Sequence, residues 1–134
     1  MRYSLDTNVC IQYLRGKNAA VIVYFNRVHP SQIVICSIVR SELLYGAGKS
    51  RDPAAEKVKV ENFLSLFATE SYGDVAADLF VDHRLRLEKS GLMIGSFDLM
   101  IASISLFENL VQITHNTAEF SRVTGLGMED WELP

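Results

Sequence analysis

Five residues whose side chains suit hard cations fall where strands hand over to helices or where helices open: Asp6, Glu42, Asp98, Asn116 and Glu119. They are four acids and one carboxamide, and no lysine or arginine stands beside them as a partner. Mg²⁺ takes oxygen ligands, typically one or two carboxylates, with waters and substrate phosphate completing an octahedron. Such an ion lowers the pKa of a bound water and neutralises charge developing on a scissile phosphate. Acids gathered in this way point to metal-assisted phosphodiester hydrolysis.

Each residue also has a structural role it could fill alone. Asp6 precedes a helical pattern and suits an N-cap, while Asp98 suits the first turn of a helix, where the dipole favours an acid. Asn116 and Glu119 have the spacing of a capping box. Glu42 fits such a role poorly. Ile38 and Tyr45 stand one turn either side of it and Leu43-Leu44 follow, so the carboxylate interrupts a face expected to pack. Buried acids are rare unless paired or metal-bound.

The elements that must position these residues alternate between strand and helix signals, the pattern of a parallel sheet covered by helices. Met1 to Leu5 reads as a short strand, followed by a helix stopping at Gly16 and another over about Ala19 to Val28. Ile33 to Cys36 is a continuous apolar run, expected of a strand buried on both faces. Ser37 is placed to cap a helix reaching about Ala47. Helices follow over about Ala54 to Phe67, Asp74 to Lys89 and Phe97 to Phe107, the last with Met100, Ile101, Ile104 and Phe107 facing inward. Leu110 to Thr114 is again a strand, then comes a short helix or turn, and Met128 to Trp131 fits an edge strand. The expectation is a single α/β domain over 1–134, three-layered, with a short parallel sheet of four or five strands flanked by helices. In such sheets the ligand site lies beyond the carboxyl ends of the strands, where Asp6, Ser37 to Glu42, and His115 to Glu119 all fall.

The composition, 49% hydrophobic and 22% charged over 134 residues, is that of an ordinary globular protein. Nothing resembles a signal peptide or a bilayer span, so a cytoplasmic protein without membrane association is expected. The two cysteines, Cys10 and Cys36, form no ligand motif and read as buried thiols. A net charge of −3 does not by itself suggest nucleic acid. Basic patches at Arg15/Lys17, Lys49/Arg51 and Arg84/Arg86/Lys89 would have to meet a phosphate backbone. No G-x-S-x-G elbow, Walker loop, G-x-G-x-x-G or H-E-x-x-H occurs, and of the three histidines only His115 is placed near the site.

Four stretches together carry a family likeness: S-L-D-T-N at 4–8, S-x-x-x-x-E at 37–42 with L-L-Y-G-A after it, I-G-S-F-D-L-M-I-A-S at 94–103, and I-T-H-N-T-A-E-F-S-R-V-T-G-L at 113–126. In this order they resemble the PIN-domain ribonucleases, and within them the VapC toxins of type II toxin–antitoxin systems. The resemblance implies a PIN fold and a Mg²⁺ site, with Mn²⁺ able to substitute, held by Asp6, Glu42 and Asp98. It places Thr7, Asn8 and Ser37 as supporting residues. It further implies endoribonuclease activity on RNA, often tRNA, a homodimer, and neutralisation by a VapB-like antitoxin. Where many relatives carry a fourth aspartate this chain has Asn116, which offers an oxygen but no charge, with Glu119 as a substitute. Two other readings of the chain are an RNA-processing PIN nuclease without antitoxin, and a non-catalytic binding or receiver-like module. A receiver would need a lysine after its last strand, where His115-Asn116 stands.

Overall fold

The computed structural model describes all 134 residues. Its sheet is built from very short strands: β1 (Tyr3–Leu5), β2 (Ile33–Val34), β3 (Val111–Ile113) and β4 (Met128–Glu129). Every pairing is parallel, in the order β2-β1-β3-β4. Beyond β2 the sheet gains one more bridge, Val34 to Ala68, and the Ile35 and Ser37 amides bond the carbonyls of Ala68 and Glu70 at 3.0 and 2.9 Å. The expected α/β sheet of four or five parallel strands is therefore present.

Seven helices flank the sheet: α1 (Thr7–Arg15), α2 (Ala19–Arg27), α3 (Ser37–Gly48), α4 (Pro53–Leu64), α5 (Asp74–Ser90), α6 (Ser96–Glu108) and α7 (Thr117–Phe120). Their ends follow local chemistry. Asp6, Asn18 and Asp52 cap α1, α2 and α4 by accepting from backbone amides. Gly16 closes α1 at φ 64°, a conformation glycine adopts without steric cost. None of these helices is long and apolar enough to cross a membrane.

Two apolar clusters form, and α6 contributes to both. Ile101 and Ile104 enter the larger one with Leu5, Val9 and Ile113, while Leu99 and Ala102 enter the smaller with Leu87 and Phe120. Every residue from Ile101 to Ser105 is consequently buried. This corrects the expectation of one inward stripe: Met100 is only half-buried and Phe107 is 51% exposed. Phe107 belongs to the last turn of α6, and Leu110, just past the left-handed Asn109 cap, is the buried residue there.

The last strand also differs from expectation. Pairing stops at Glu129, and Trp131 turns into the core at 1% exposure, 5.5 Å from Tyr3 and 5.8 Å from Tyr24 between ring centroids. Its indole N–H donates to Glu129 Oε1 at 3.2 Å. Replacing a fully packed indole leaves a cavity, so Trp131→Ala should cost about 3–5 kcal/mol. Urea unfolding of parent and variant measures it.

Candidate active site

The strand order places a switch point between β1 and β3, because the chain moves from β1 to β2 on one side and returns to β3 on the other. Ligand sites of open α/β sheets lie at such points. Asp6 follows β1 there, its amide bonded to the Ile113 carbonyl of β3 at 3.1 Å. Its carboxylate is 5% exposed and accepts from the Val9 amide at 3.0 Å, so the N-cap role is real. Burial pushes its pKa up, while the Thr114 hydroxyl and the Val9 amide hold it down. Glu132 and Glu42 push it up further, which puts both within electrostatic reach.

Glu42 projects from α3, half-buried, and its Oε1 accepts from the Thr7 hydroxyl at 2.6 Å. Thr7 opens α1, so this bond spans two elements. The packing argument for Glu42 holds only in part, since Tyr45 is 68% exposed. Glu42 lies at the border of the packed face, beside Leu43, and not within it.

Asp98 sits in the first turn of α6. Burial first, then Asp6, Glu42 and Glu119, raise its carboxyl to about 6. That list of neighbours shows α1, α3, α6 and α7 delivering acids to one place. Asp98 is the acid raised furthest, by burial first and by these neighbours second. Perturbed carboxyls in such a position mark functional sites.

The supporting residues are sorted less evenly. Asn8 is exposed on α1 and its side chain makes no hydrogen bond. Ser37 does not cap α3, as expected from its type. The cap position is Cys36, with no side-chain bond, and the Ser37 hydroxyl instead accepts from the Tyr72 amide at 3.3 Å, tying α3 to the segment before α5. Asn116 and Glu119 form no capping box either: the Asn116 side chain makes no cap bond, and its amide donates to Thr114 Oγ1 at 3.0 Å. Both side chains are thereby left available to the cluster.

Three residues near the site were not singled out from the sequence. Thr114, just past β3, lowers the Asp6 pKa, and Glu132, from the segment after β4, raises it. Asp130 Oδ2 bonds His115 Nδ1 at 2.9 Å and lifts the imidazole pKa above its ordinary value. The positions of Asp130 and Glu132, just past the carboxyl end of a strand, were the available signal. His115, Asp130 and Glu132 bring possible ligand atoms within 4.8 Å of one another, and are alone in doing so. The principal acids stand further apart.

The residues fit a hard divalent cation nonetheless. They offer only oxygen donors from several elements, and a site that draws part of its shell from water and substrate tolerates such spacing.

The PIN domain family description matches residues 3–126. The chain belongs to the PIN-domain family. Among its relatives is a Shigella flexneri protein named tRNA(fMet)-specific endonuclease VapC, 37% identical over 131 residues and aligned across 98% of both chains. The PIN fold is shared with the DNA-bound VapBC structure from Salmonella typhimurium, at TM-score 0.90, 36% identity and 98% coverage of each chain. It is shared likewise with VapBC2 of Rickettsia felis bound to a promoter DNA fragment, at TM-score 0.89, 32% identity and coverage of 98% and 99%.

The raised pKa of Asp98 has a measurable consequence. A carboxyl whose folded pKa exceeds its unfolded value near 3.8 binds more protons when folded, so it favours folding below about pH 4, and that contribution is lost as pH rises through about 6. In EDTA, Asp98→Asn should flatten the rise in melting temperature that the parent shows on acidification between these values. At neutral pH it should match or exceed the parent. A residue acting only as a first-turn acid would instead lose about 0.3–1 kcal/mol on substitution. Thermal melts across pH decide between them.

Proposed function

We propose that this PIN domain is a VapC-type toxin: a cytoplasmic, Mg²⁺-dependent endoribonuclease that cuts RNA, tRNA foremost, and is neutralised by a VapB-like antitoxin. The observation that carries the reading is the convergence of Asp6, Glu42, Asp98 and Glu119 at the switch point of the sheet. The endonuclease and ribonuclease names of the relatives, and the VapBC titles of the solved ones, support it. A homodimer belongs to the same reading.

Asp6, Glu42 and Asp98 would hold the ion, with Asn116 adding an uncharged oxygen and Glu119 a charge at the rim. Bound there, Mg²⁺ supplies an activated water and neutralises charge on the scissile phosphate. The protein's own part is orientation. The Val9 amide fixes the Asp6 carboxylate, and the Thr7 hydroxyl fixes one oxygen of Glu42. The antitoxin is expected to bring an arginine or lysine into the acids, since an ion-free cluster is an unbalanced negative field.

Purified protein freed of antitoxin should cut RNA with Mg²⁺ or Mn²⁺ and fall silent in EDTA; undiminished cutting in EDTA would sink the mechanism. Thr7→Ala, which removes the bond to Glu42, should cost roughly 10–100-fold in activity or metal affinity, as losses of ligand-orienting bonds do. Thr7→Ser should keep most of both. Equal loss in the serine variant would mean that the hydroxyl is not what matters.

A further inference from the structure

A nuclease with net charge −3 and an acid cluster at its centre must find cations elsewhere to hold a polyanion. Most of its 13 lysines and arginines are already engaged. Carboxylates hold Arg2, Lys57, Lys59 and Arg84. Arg27 and Lys49 lie over tyrosine rings, and Arg86 and Arg122 donate to backbone carbonyls. Five remain without a side-chain partner: Arg15, Lys17, Arg40, Arg51 and Lys89.

Two of those five share one groove. A cleft of about 520 Å³ runs between α1, α3 and α4, lined by Arg15 and Lys17 at the end of α1 and by Glu42 of the acid cluster. Leu14 and Leu43 give it an apolar wall. Lys59 also lines it, but is neutralised by Glu56 at 3.4 Å. Arg40, Arg51 and Lys89 are not on its walls. Two of the five unpartnered cations thus share a groove that opens onto one of the proposed metal ligands.

We infer that this groove is the seat of the RNA strand on one side of the cut, with Arg15 and Lys17 each contacting a backbone phosphate next to the scissile one. The inference rests on the ribonuclease reading for the direction of the strand, but the binding itself can be measured apart from cleavage. Phosphate contacts act through counterion release, so each neutralised phosphate of a single strand contributes about 0.7 to the slope of log affinity against log salt. At about 0.1 M salt the loss of one such contact corresponds to about a fivefold weaker affinity. The apolar wall suits base or ribose faces without reading sequence, so the contribution should be the same for different sequences.

The test is fluorescence anisotropy of a labelled single-stranded RNA oligonucleotide, titrated with protein in EDTA over a range of salt. Parent, Arg15→Gln and Lys17→Gln are compared with Lys89→Gln, which removes an equally free cation from the far end of α5. Each groove variant should bind about fivefold more weakly and show a slope shallower by about 0.7, whereas Lys89→Gln should match the parent. Unchanged affinity and slope in both groove variants, or an equal loss in Lys89→Gln, would overturn the inference. So would groove variants that bind RNA normally but lose affinity for the cognate antitoxin, which would make the cleft a protein-docking surface. A parent that binds RNA through these residues yet fails to cut it with Mg²⁺ would overturn the nuclease reading and leave the groove assignment standing.

Discussion

Holding several carboxylates together in a partly buried place is the constraint on which this structure depends. Asp6, Glu42, Asp98 and Glu119 come from four elements far apart in sequence, and the other three each disfavour the charge on Asp98. Folding brings them together only because other interactions hold their carriers. Asp6 is tied to α1 and, through its amide, to β3. Glu42 is tied to Thr7, and Asp98 rides on a helix buried in two apolar clusters. The short parallel strands serve the same end, since parallel pairing aligns the carboxyl ends of β1, β2 and β3 along one edge. A cation of charge two would answer the repulsion directly.

What could be read from the sequence follows from how local each signal is. The alternation of elements was legible because apolar periodicity and helix stops such as Gly16 and Gly91 act over a few residues. The continuous run at Ile33 to Cys36 marked a buried strand, although pairing within β2 covers only Ile33 and Val34. The three principal acids were legible as residues that interrupt or open apolar elements. Where a residue type has two uses, the more frequent one misled. Ser37 stands at a helix start yet serves Tyr72, and Asn116 has capping spacing but a backbone at φ −84°, ψ 53°, outside the extended geometry of a cap. Glu132 and Thr114 act on Asp6 through contacts that no local pattern encodes. The burial of α6 on nearly all sides likewise arises from its position between clusters.

The edge of the sheet carries opposite fields close together. Asp6, Glu42 and Asp98 are the acids that would hold the ion, and Arg15 and Lys17 lie along the groove that Glu42 also lines. On the proposed reading, this arrangement is how an acidic protein would accommodate RNA. It also separates two kinds of dependence, because metal affinity should follow pH through Asp98 while strand affinity follows salt through Arg15 and Lys17.

The central claim is that a divalent cation occupies the acids and takes the place of the proton held on Asp98. Isothermal titration calorimetry of Mg²⁺ into the protein, repeated near pH 6 in buffers of different ionisation enthalpy, counts the protons released on binding. Binding near pH 6 should release a substantial fraction of one proton per ion, because about half of the Asp98 carboxyls are protonated there. The release should nearly vanish at about pH 8, where the Asp98 carboxyl is ionised, and in Asp98→Asn. Mg²⁺ binding with no proton release near pH 6, or the same release with Asp98 replaced, would place the ion elsewhere and contradict the assignment.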